Sequence, residues 1–283
     1  MNNTPLHLHI GLQKTASTTL QETLFLRHPQ IHYLGKAVKH KKIKKNCLDD
    51  ITYRILKPIL WDVKKPMDTK ETLSLFQDTL LPTISKDQVF VGSWESLGCR
   101  PIKRQMETLN RCKAIFGGCR IMITLRNPLF LMPSLYLQNL HEDFLWQKHN
   151  WLDPQSYAEI EVWYKNRMSR FNNALLKYSE CIKNTINELG RENVGVFLYE
   201  ELQENPKAYY QSICEFIGID SEIGVSLALG KHLYPRLSDP QLSYMRKIQS
   251  SLLGRALHSY SSIQRRRKAL EARVGPLRKS RTN

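Results

Sequence analysis

The chain has 283 residues, which is enough to bury a sizeable core and falls within the range of one α/β domain with insertions. Lysine and arginine outnumber aspartate and glutamate by 42 to 26, and the formal charge of +16 favours an anionic partner such as a nucleotide, an acidic glycan, a lipid head group or nucleic acid. The 6 cysteines lack C-x-x-C spacing and nearby paired histidines, which argues against a metal site and against a disulfide framework.

Membrane and export signals are absent from the sequence pattern. No apolar run reaches membrane-spanning length, and the first residues do not have the layout of a signal peptide. We therefore expect a cytoplasmic protein.

The first predicted strand ends at a glycine and leads into a hydroxyl-rich helix start. Leu6, Leu8 and Ile10 form a short apolar run, Gly11 allows a sharp turn, and Lys14 lies in that turn. Unpaired N–H groups and the positive end of the dipole favour a phosphate or sulfate at such a helix start. A single capping hydroxyl would fit an ordinary helix, but a lysine and four hydroxyls favour the anion site. These hydroxyls belong to Thr15, Ser17, Thr18 and Thr19.

This stretch differs from the nucleotide P-loop G-x-x-x-x-G-K-[ST], because position 16 is alanine and the residue directly before Lys14 is not glycine. Its order Lys-Thr-Ala-Ser-Thr-Thr instead resembles the 5′-phosphosulfate loop of sulfotransferases that use 3′-phosphoadenosine-5′-phosphosulfate (PAPS), usually written Lys-(Thr/Ser)-Gly-Thr-Thr. Ala16 and Ser17 are mild departures from that pattern. The resemblance implies that PAPS is bound by Lys14, Thr15, Ala16, Ser17, Thr18 and Thr19.

The second predicted strand, residues 30–36, leads into a run of six lysines at positions 36–45. We interpret the run as a solvated loop because like charges repel one another, and the alternative is a landing surface for an acidic acceptor or a membrane. His32 lies within the strand and is either a core residue or a general base.

The segment at residues 88–98 contains a third buried strand, carried by the apolar run at positions 89–91, and Glu95 lies just past the end of this strand. Ligands of open parallel sheets bind outside the carboxyl ends of the strands, so this carboxylate is placed to meet a substrate. The alternative is that Glu95 caps the next helix or pairs with a lysine.

The fourth buried strand ends on Arg126, and Asn127-Pro128 opens a helix after it. A guanidinium at the strand end and the hydroxyl of Ser134, eight residues later, could meet one phosphate. This spacing resembles the 3′-phosphate motif of sulfotransferases, in which proline follows two positions after the arginine and Ser-x-Tyr begins eight positions after it. Pro128, Ser134 and Tyr136 all match.

The middle region, residues 141–189, has a helical pattern and is rich in aromatic side chains, for which we predict core packing. A fifth strand at residues 193–202 runs into Tyr199-Glu200-Glu201, and Asn205-Pro206 starts another helix. This segment resembles the corresponding segment of sulfotransferases, where the position of Tyr199 contacts adenine in cytosolic members.

The last part of the chain matches the family least. It has Lys231-His232 and Arg236 without the Arg-Lys-Gly loop of phenol and steroid sulfotransferases, and Thr19 stands where those enzymes tend to have tryptophan. Both departures indicate the bacterial and carbohydrate-type branch. A basic tail from about residue 255 is interpreted as a solvated extension, an RNA contact or an amphipathic segment that binds an anionic membrane. The last of these interpretations allows a peripheral position at the inner face of the membrane.

Three signatures in the right order resemble PAPS-dependent sulfotransferases, which implies a P-loop-type α/β fold, a three-layer arrangement with a central, mainly parallel sheet flanked by helices. We expect one domain over residues 1–283 that moves a sulfuryl group from PAPS to a hydroxyl, on a carbohydrate or glycolipid, without a metal. By this resemblance Lys14 would stabilise charge, Glu95 or His32 would act as general base, and Arg126, Ser134 and Tyr199 would bind the nucleotide.

Two alternatives stay open at the level of the sequence. One is a nucleic-acid-binding or regulatory protein that uses its basic surface, although no stacking or groove-reading motif accompanies the charge, so nucleic acid is not expected as a partner. The other is a nucleotide kinase, which would need Mg²⁺ and ATP.

Overall fold

The computed structural model describes residues 5–35, 49–98, 100–146, 160–171, 177–231 and 237–273. The lysine run at positions 36–45 and the residues His232 and Arg236 lie outside these ranges.

The centre of the fold is a five-stranded sheet with the strand order β2-β3-β1-β4-β5, in which every pairing is parallel. The predicted mainly parallel α/β sheet is confirmed. Because parallel strands end at one edge, the chain segments that follow β1, β3, β4 and β5 all begin there. The strands are β1 Leu6–His9, β2 Ile31–Tyr33, β3 Val89–Ser93, β4 Cys119–Leu125 and β5 Val194–Leu198.

Three helices in the first part of the chain change their winding along their length. Helix α1 is α-helical over Ser17–Thr19 and π-helical over Leu20–Phe25. Helix α2 spans Asp50–Leu56 and continues as a π-helix over Lys57–Trp61, and α3 spans Thr69–Leu75, with a π-helical Phe76–Leu80 and a 3₁₀ turn Leu81–Thr83. A further 3₁₀ turn covers Glu95–Leu97.

The remaining helices are continuous, apart from one 3₁₀ turn at Arg191–Asn193 before β5. They are α4 Ile102–Phe116, α5 Pro128–Trp146, α6 Ile160–Phe171, α7 Tyr178–Leu189, α8 Tyr199–Glu204, α9 Pro206–Ile217, α10 Ser221–Ala228, α11 Asp239–Ser250, α12 Leu252–Tyr260 and α13 Ile263–Glu271. The predicted helical character of the middle region is confirmed for the parts that α5, α6 and α7 cover.

Helix α2 is not among the elements that the sequence pattern predicted. It begins at Asp49, whose carboxylate accepts a hydrogen bond from the Thr52 N–H at 2.7 Å. Such a side-chain cap satisfies one of the N–H groups that a helix start leaves unpaired. The fully buried Ile55, Leu56 and Ile59 then anchor the helix in the core.

Contacts between residues divide the chain into two compact units, of which the first comprises residues 1–128 and 171–233. One face of its sheet packs on α1, with Leu24, Phe25, Tyr33 and Val91 in one buried cluster. Side chains alternate along a strand, so Phe90, next to Val91, points to the other face. There it meets aromatic rings of α3 and α4, Phe76 and Phe116, at centroid distances of 5.8 and 5.7 Å.

The second unit comprises residues 129–170 and 234–283, and its buried cluster joins α5 to α11 and α13. Arg266 of α13 is only 5% exposed and donates hydrogen bonds to the carbonyl oxygens of Leu145 and His258. Over residues 255–271 the predicted basic tail therefore lies mainly in α12 and α13, and the buried Arg266 shows that this part is not solvated throughout. The expectation of a single domain stays a prediction.

Within the described ranges, no helix combines the length and the apolar character needed to cross a bilayer. Four of the cysteines lie in these ranges, and all four are free thiols. They are Cys112, Cys119, Cys181 and Cys214.

Candidate active site

The loop between β1 and α1, residues 10–16, has an unusual backbone. Lys14 and Ala16 have φ angles of 66° and 62°, and in the described part of the chain no other non-glycine residue has a positive φ. The left-handed region costs a residue with a side chain roughly 1–2 kcal/mol. Strained backbone of this kind concentrates at ligand sites, because the surrounding structure must hold it in place.

Ala16 occupies the position at which the sulfotransferase pattern has glycine, and its φ angle gives the physical reason for that preference. We expect Ala16→Gly to raise the free energy of unfolding by about 1 kcal/mol, since glycine adopts a positive φ without the steric cost. Denaturant unfolding followed by circular dichroism measures it.

The matched control is Ala114→Gly, at an exposed position inside α4, where glycine should lower the free energy of unfolding by about 1 kcal/mol. Equal destabilisation by the two substitutions would contradict the strain at Ala16.

The hydroxyl groups at the start of α1 divide into two kinds. Thr15 and Ser17 donate to the carbonyl oxygen of Leu12, at 2.6 and 3.2 Å, and so close the loop. That their hydroxyls also add donors to a bound anion stays a prediction. Thr18 is half-buried, and Thr19 is 8% exposed.

The main-chain N–H groups at the helix start are a second set of potential donors. The first i to i−4 hydrogen bond of α1 runs from the Leu20 N–H to the Ala16 carbonyl, at 3.1 Å. The preceding N–H groups of Ser17, Thr18 and Thr19 have no acceptor within the helix, and the side chain of Ala16 provides none. This helix start can therefore hold an anion through its backbone.

A buried chain of hydrogen-bonded polar side chains, which the sequence analysis missed, connects the ends of three strands to the loop between β1 and α1. The His9 imidazole lies 2.7 Å from Ser93 Oγ and 2.9 Å from Thr124 Oγ1, and Thr124 Oγ1 lies 2.7 Å from Thr15 Oγ1. Burial lowers the pKa of His9 to about 4, so the ring is neutral near pH 7 and can donate at one nitrogen and accept at the other. The signal available in the sequence was a polar residue near the end of each of three apolar strands.

Gly11 is needed at this point because of space rather than backbone angle. A Cβ at position 11 would lie 1.8 Å from Thr124 Oγ1 and 2.6 Å from His9 Nε2. The glycine thus lets the chain pass directly over the buried polar side chains.

Arg126, which follows β4, lies beside the same loop. Its guanidinium donates to the Lys14 carbonyl oxygen at 3.1 Å and lies 4.3 Å from the centre of the Tyr199 ring, a cation–π distance. Its carbonyl oxygen accepts a hydrogen bond from the Tyr178 hydroxyl at 3.0 Å. Residues predicted from three separate stretches of the sequence, Lys14, Arg126 and Tyr199, are therefore neighbours.

Arg126 and the nearby Glu200 differ in whether their polar atoms are available to a ligand. The Nε atom of Arg126 is buried without a hydrogen-bond partner among the described residues, so it can still donate to a ligand. Glu200, by contrast, accepts a hydrogen bond from the Asn127 N–H at 3.0 Å and so fixes the turn after β4.

Ser134 lies on α5 in the second unit and is half-buried, and Tyr136 on the same helix packs against Trp163 of α6 at 5.6 Å between ring centroids. The joint action of Arg126 and Ser134 on one phosphate stays a prediction.

The two candidate general bases have different surroundings. Glu95 begins the 3₁₀ turn after β3 and is half-buried. Burial raises the pKa of Tyr33, and the negative charge of Glu95 raises it further. His32 lies inside β2 with its ring edge on Phe90 at 5.3 Å, and burial lowers its pKa. Because neighbouring strand residues alternate, His32 faces the sheet side opposite to Tyr33 and α1. Which of the two acts as general base stays a prediction.

Comparisons with known proteins agree with this architecture. A family model described as the sulfotransferase family matches residues 8–222. A sulfotransferase structure from Alicyclobacillus acidocaldarius is 15% identical, covers 93% of this chain and 98% of its own, and superimposes with a TM-score of 0.52. At that identity, the likeness concerns the fold alone.

Two further structures are more distant. The sulfotransferase STF9 from Mycobacterium avium is 13% identical, with coverages of 92% and 77% and a TM-score of 0.47. A mouse sulfotransferase complexed with PAP (3′-phosphoadenosine-5′-phosphate) is 14% identical, with coverages of 87% and 64% and a TM-score of 0.38. No curated protein matches the chain significantly.

Proposed function

The chain belongs to the sulfotransferase family, and from this premise we propose that it transfers a sulfuryl group from PAPS to a hydroxyl of a carbohydrate or glycolipid. The observation that carries the proposal is the meeting of the anion-binding loop, Arg126 and Tyr199 at the carboxyl edge of the sheet. A nucleotide with phosphates at both ends of its ribose needs positive or N–H donors at two places, and a ring for its base.

The residues present fit such a nucleotide. The unpartnered Nε of Arg126 and the N–H groups of Ser17, Thr18 and Thr19 can donate to anionic oxygens, and the Tyr199 ring offers a face for a base. PAPS supplies the sulfuryl group and leaves as 3′-phosphoadenosine-5′-phosphate (PAP).

In the reaction we propose, the acceptor oxygen forms a bond to sulfur while the bond from sulfur to the phosphate oxygen breaks. The acceptor proton passes to the Glu95 carboxylate. The Lys14 ammonium and the loop N–H groups stabilise the negative charge that grows on the leaving phosphate. Most of the catalysis is then positioning and charge stabilisation.

A first experiment tests the nucleotide site by calorimetry. We expect PAP to bind more tightly than ADP, and Arg126→Gln to weaken PAP binding by about 30- to 100-fold, the scale of a lost hydrogen bond to a charged group. ADP binding should fall much less, because the N–H groups of Ser17, Thr18 and Thr19 that would hold its 5′ phosphates remain, although the loop loses the hydrogen bond from Arg126 to the Lys14 carbonyl oxygen.

The control is Arg120→Gln, since Arg120 also lies over an aromatic ring, Phe216 at 4.4 Å, but near the start of β4, whereas Arg126 follows the end of that strand. Equal affinities for PAP and ADP, or identical effects of the two substitutions, would remove the proposed 3′-phosphate site. A mass-spectrometric screen of glycan and glycolipid hydroxyls with PAPS then identifies the acceptor.

The second unit has a surface that suits an anionic membrane, and we propose such a membrane as a partner. Four apolar side chains of α12 are between 55% and 86% exposed: Leu252, Leu253, Leu257 and Tyr260. At roughly 100° per residue they fall within about 140° of the helix circumference, so they form one face. Exposed cations follow on α13, namely Arg265, Arg267 and Lys268. An apolar face beside cations is the arrangement that binds anionic lipid interfaces.

Vesicle flotation tests this partner. We expect binding to vesicles rich in phosphatidylglycerol, weakening with salt, and little binding to phosphatidylcholine alone. The double variant Leu253→Ser/Leu257→Ser should lose most of the binding, whereas Leu229→Ser, an exposed leucine of the first unit, should not. Binding that is unchanged in the double variant would refute the assignment. Substitution is preferable to truncation at residue 265, which would remove the buried Arg266.

A further inference from the structure

A cavity of about 280 Å³ in the first unit lies apart from the anion-binding loop. It is bounded by the end of α2 and the start of α4, and we refer to it as the basic cavity. Its charged and aromatic lining residues are Trp61, Asp62, Lys64, Lys65, Arg100 and Arg104.

Positive charge in the basic cavity exceeds negative charge. Four of its lining residues are cationic, and its one carboxylate, on Asp62, already pairs with Lys57 at 2.5 Å and with Lys65 at 3.9 Å. Arg100 is partly buried and donates a hydrogen bond to the Leu60 carbonyl oxygen, which fixes its position. The pKa of Arg100 is lowered mainly by burial and to a smaller extent by repulsion from Arg104. An anion in the cavity would relieve this repulsion.

The start of α4 adds to the positive field. Its first turn has no acidic residue, and it carries Arg104 where the helix dipole is itself positive. Helix starts ordinarily favour carboxylates, so cations at this position oppose the stability of the free protein. They become favourable when an anionic group neutralises them, and two guanidinium groups can bind carboxylate or sulfate oxygens in pairs.

The wall of the basic cavity is continuous with the segment that carries the proposed general base. Trp94 immediately precedes Glu95, and its ring packs edge-on against Trp61 at 5.9 Å between centroids and an angle of 89°. Arg100 follows Glu95 by five residues, beyond the Glu95–Leu97 turn. A ligand in the cavity would therefore be held by residues on both sides of the segment that carries Glu95: Trp61, which contacts Trp94, and Arg100.

We propose that the basic cavity binds the anionic group of an acidic saccharide, a carboxylate or a sulfate, through Arg100 and Arg104 while Trp61 packs on a sugar ring. This inference rests on the proposed function, since it makes the saccharide the acceptor whose hydroxyl meets Glu95. Aromatic faces provide large apolar contact with a polar edge, which suits a sugar ring. The acceptor class is thus an acidic rather than a neutral glycan.

Calorimetry with matched pairs of methyl glycosides tests the cavity, with the protein saturated with PAP so that the nucleotide site is blocked. The pairs are glucuronide against glucoside, and galactoside 6-sulfate against galactoside. We expect an anionic member to bind at least about tenfold more tightly than its neutral partner, the scale of one hydrogen bond to a charged group. Arg104→Gln and Arg100→Gln should each abolish that preference.

The matched control is Lys103→Gln, which removes one charge from the neighbouring exposed position without lining the cavity. The exposed Arg104 guards against a folding defect in the Arg100 variant, whose side chain binds the main chain. Equal binding within each pair, no binding of either anionic member, or equal effects of Lys103→Gln and Arg104→Gln would overturn the proposal.

The proposal that the basic cavity binds an acidic saccharide and the proposed sulfotransferase function can fail separately, and the two failures give different results. Loss of the glycoside preference with normal PAP binding concerns the cavity alone. Absence of PAP binding in the unaltered protein contradicts the proposed nucleotide site, and the glycoside titrations are then repeated without PAP to judge the cavity on its own.

Discussion

Replacing Lys14 by alanine is expected to lower turnover by about a hundred- to a thousandfold, the usual cost of losing one donor to developing negative charge. PAP affinity should fall only severalfold, because the ammonium acts mainly on charge that appears as the bond from sulfur to the phosphate oxygen breaks. A loss in rate that greatly exceeds the loss in product binding indicates transition-state stabilisation. Steady-state kinetics and calorimetry measure the two quantities.

The substitution Lys14→Ala removes the ammonium group and leaves the main-chain contacts of the loop unchanged. The main-chain oxygen of Lys14, rather than its side chain, accepts the hydrogen bond from Arg126, so alanine keeps that contact. Alanine and lysine also meet the same backbone cost at a φ of 66°. Lys70→Ala, at an exposed position of α3, is the matched control. Equal losses of turnover and of PAP affinity would reduce Lys14 to a binding residue.

Glu95→Gln is expected to cut turnover by roughly a hundredfold or more, the scale of a lost general base, and to leave PAP affinity unchanged. The amide keeps the size and polarity of the side chain but cannot take the acceptor proton. His32→Asn is the comparison, and it should retain near-normal turnover, because His32 packs on Phe90 within β2.

The two variants can also give the opposite result. Near-normal turnover of Glu95→Gln with a slow His32→Asn would move the base to His32. If both variants and Lys14→Ala all stay active, the proposed mechanism fails. The acceptor found in the mass-spectrometric screen serves for every one of these assays.

The basic cavity is a feature that the sequence pattern did not indicate, and the amphipathic character of the tail was only one of three interpretations of its sequence. Trp61 and Arg100 are far apart in the chain, and they line one cavity only because α2 folds against the segment after β3. Exposure of Leu253 and Leu257 likewise depends on which side of α12 packs, and the buried His258 marks that side.

The sequence by itself determined the five strands, because a strand of a parallel sheet covered on both faces is a short, nearly continuous apolar run. It also determined the position of the anion-binding loop, since Lys14 and the hydroxyl run follow the first such strand, and it placed Arg126 and Tyr199 at strand ends. Strand ends in one parallel sheet share an edge, so these residues could be expected to converge.

Only the tertiary structure decided how the loop is held and which groups face a ligand. The positive φ of Ala16, the inward hydroxyls of Thr15 and Ser17, and the contact of His9 with Thr124 depend on side-chain direction and on atoms from three strands. The contacts of His9 and Thr15 with Thr124 join residues more than a hundred positions apart. Local sequence patterns specify which residues are buried but not which polar atoms meet after burial.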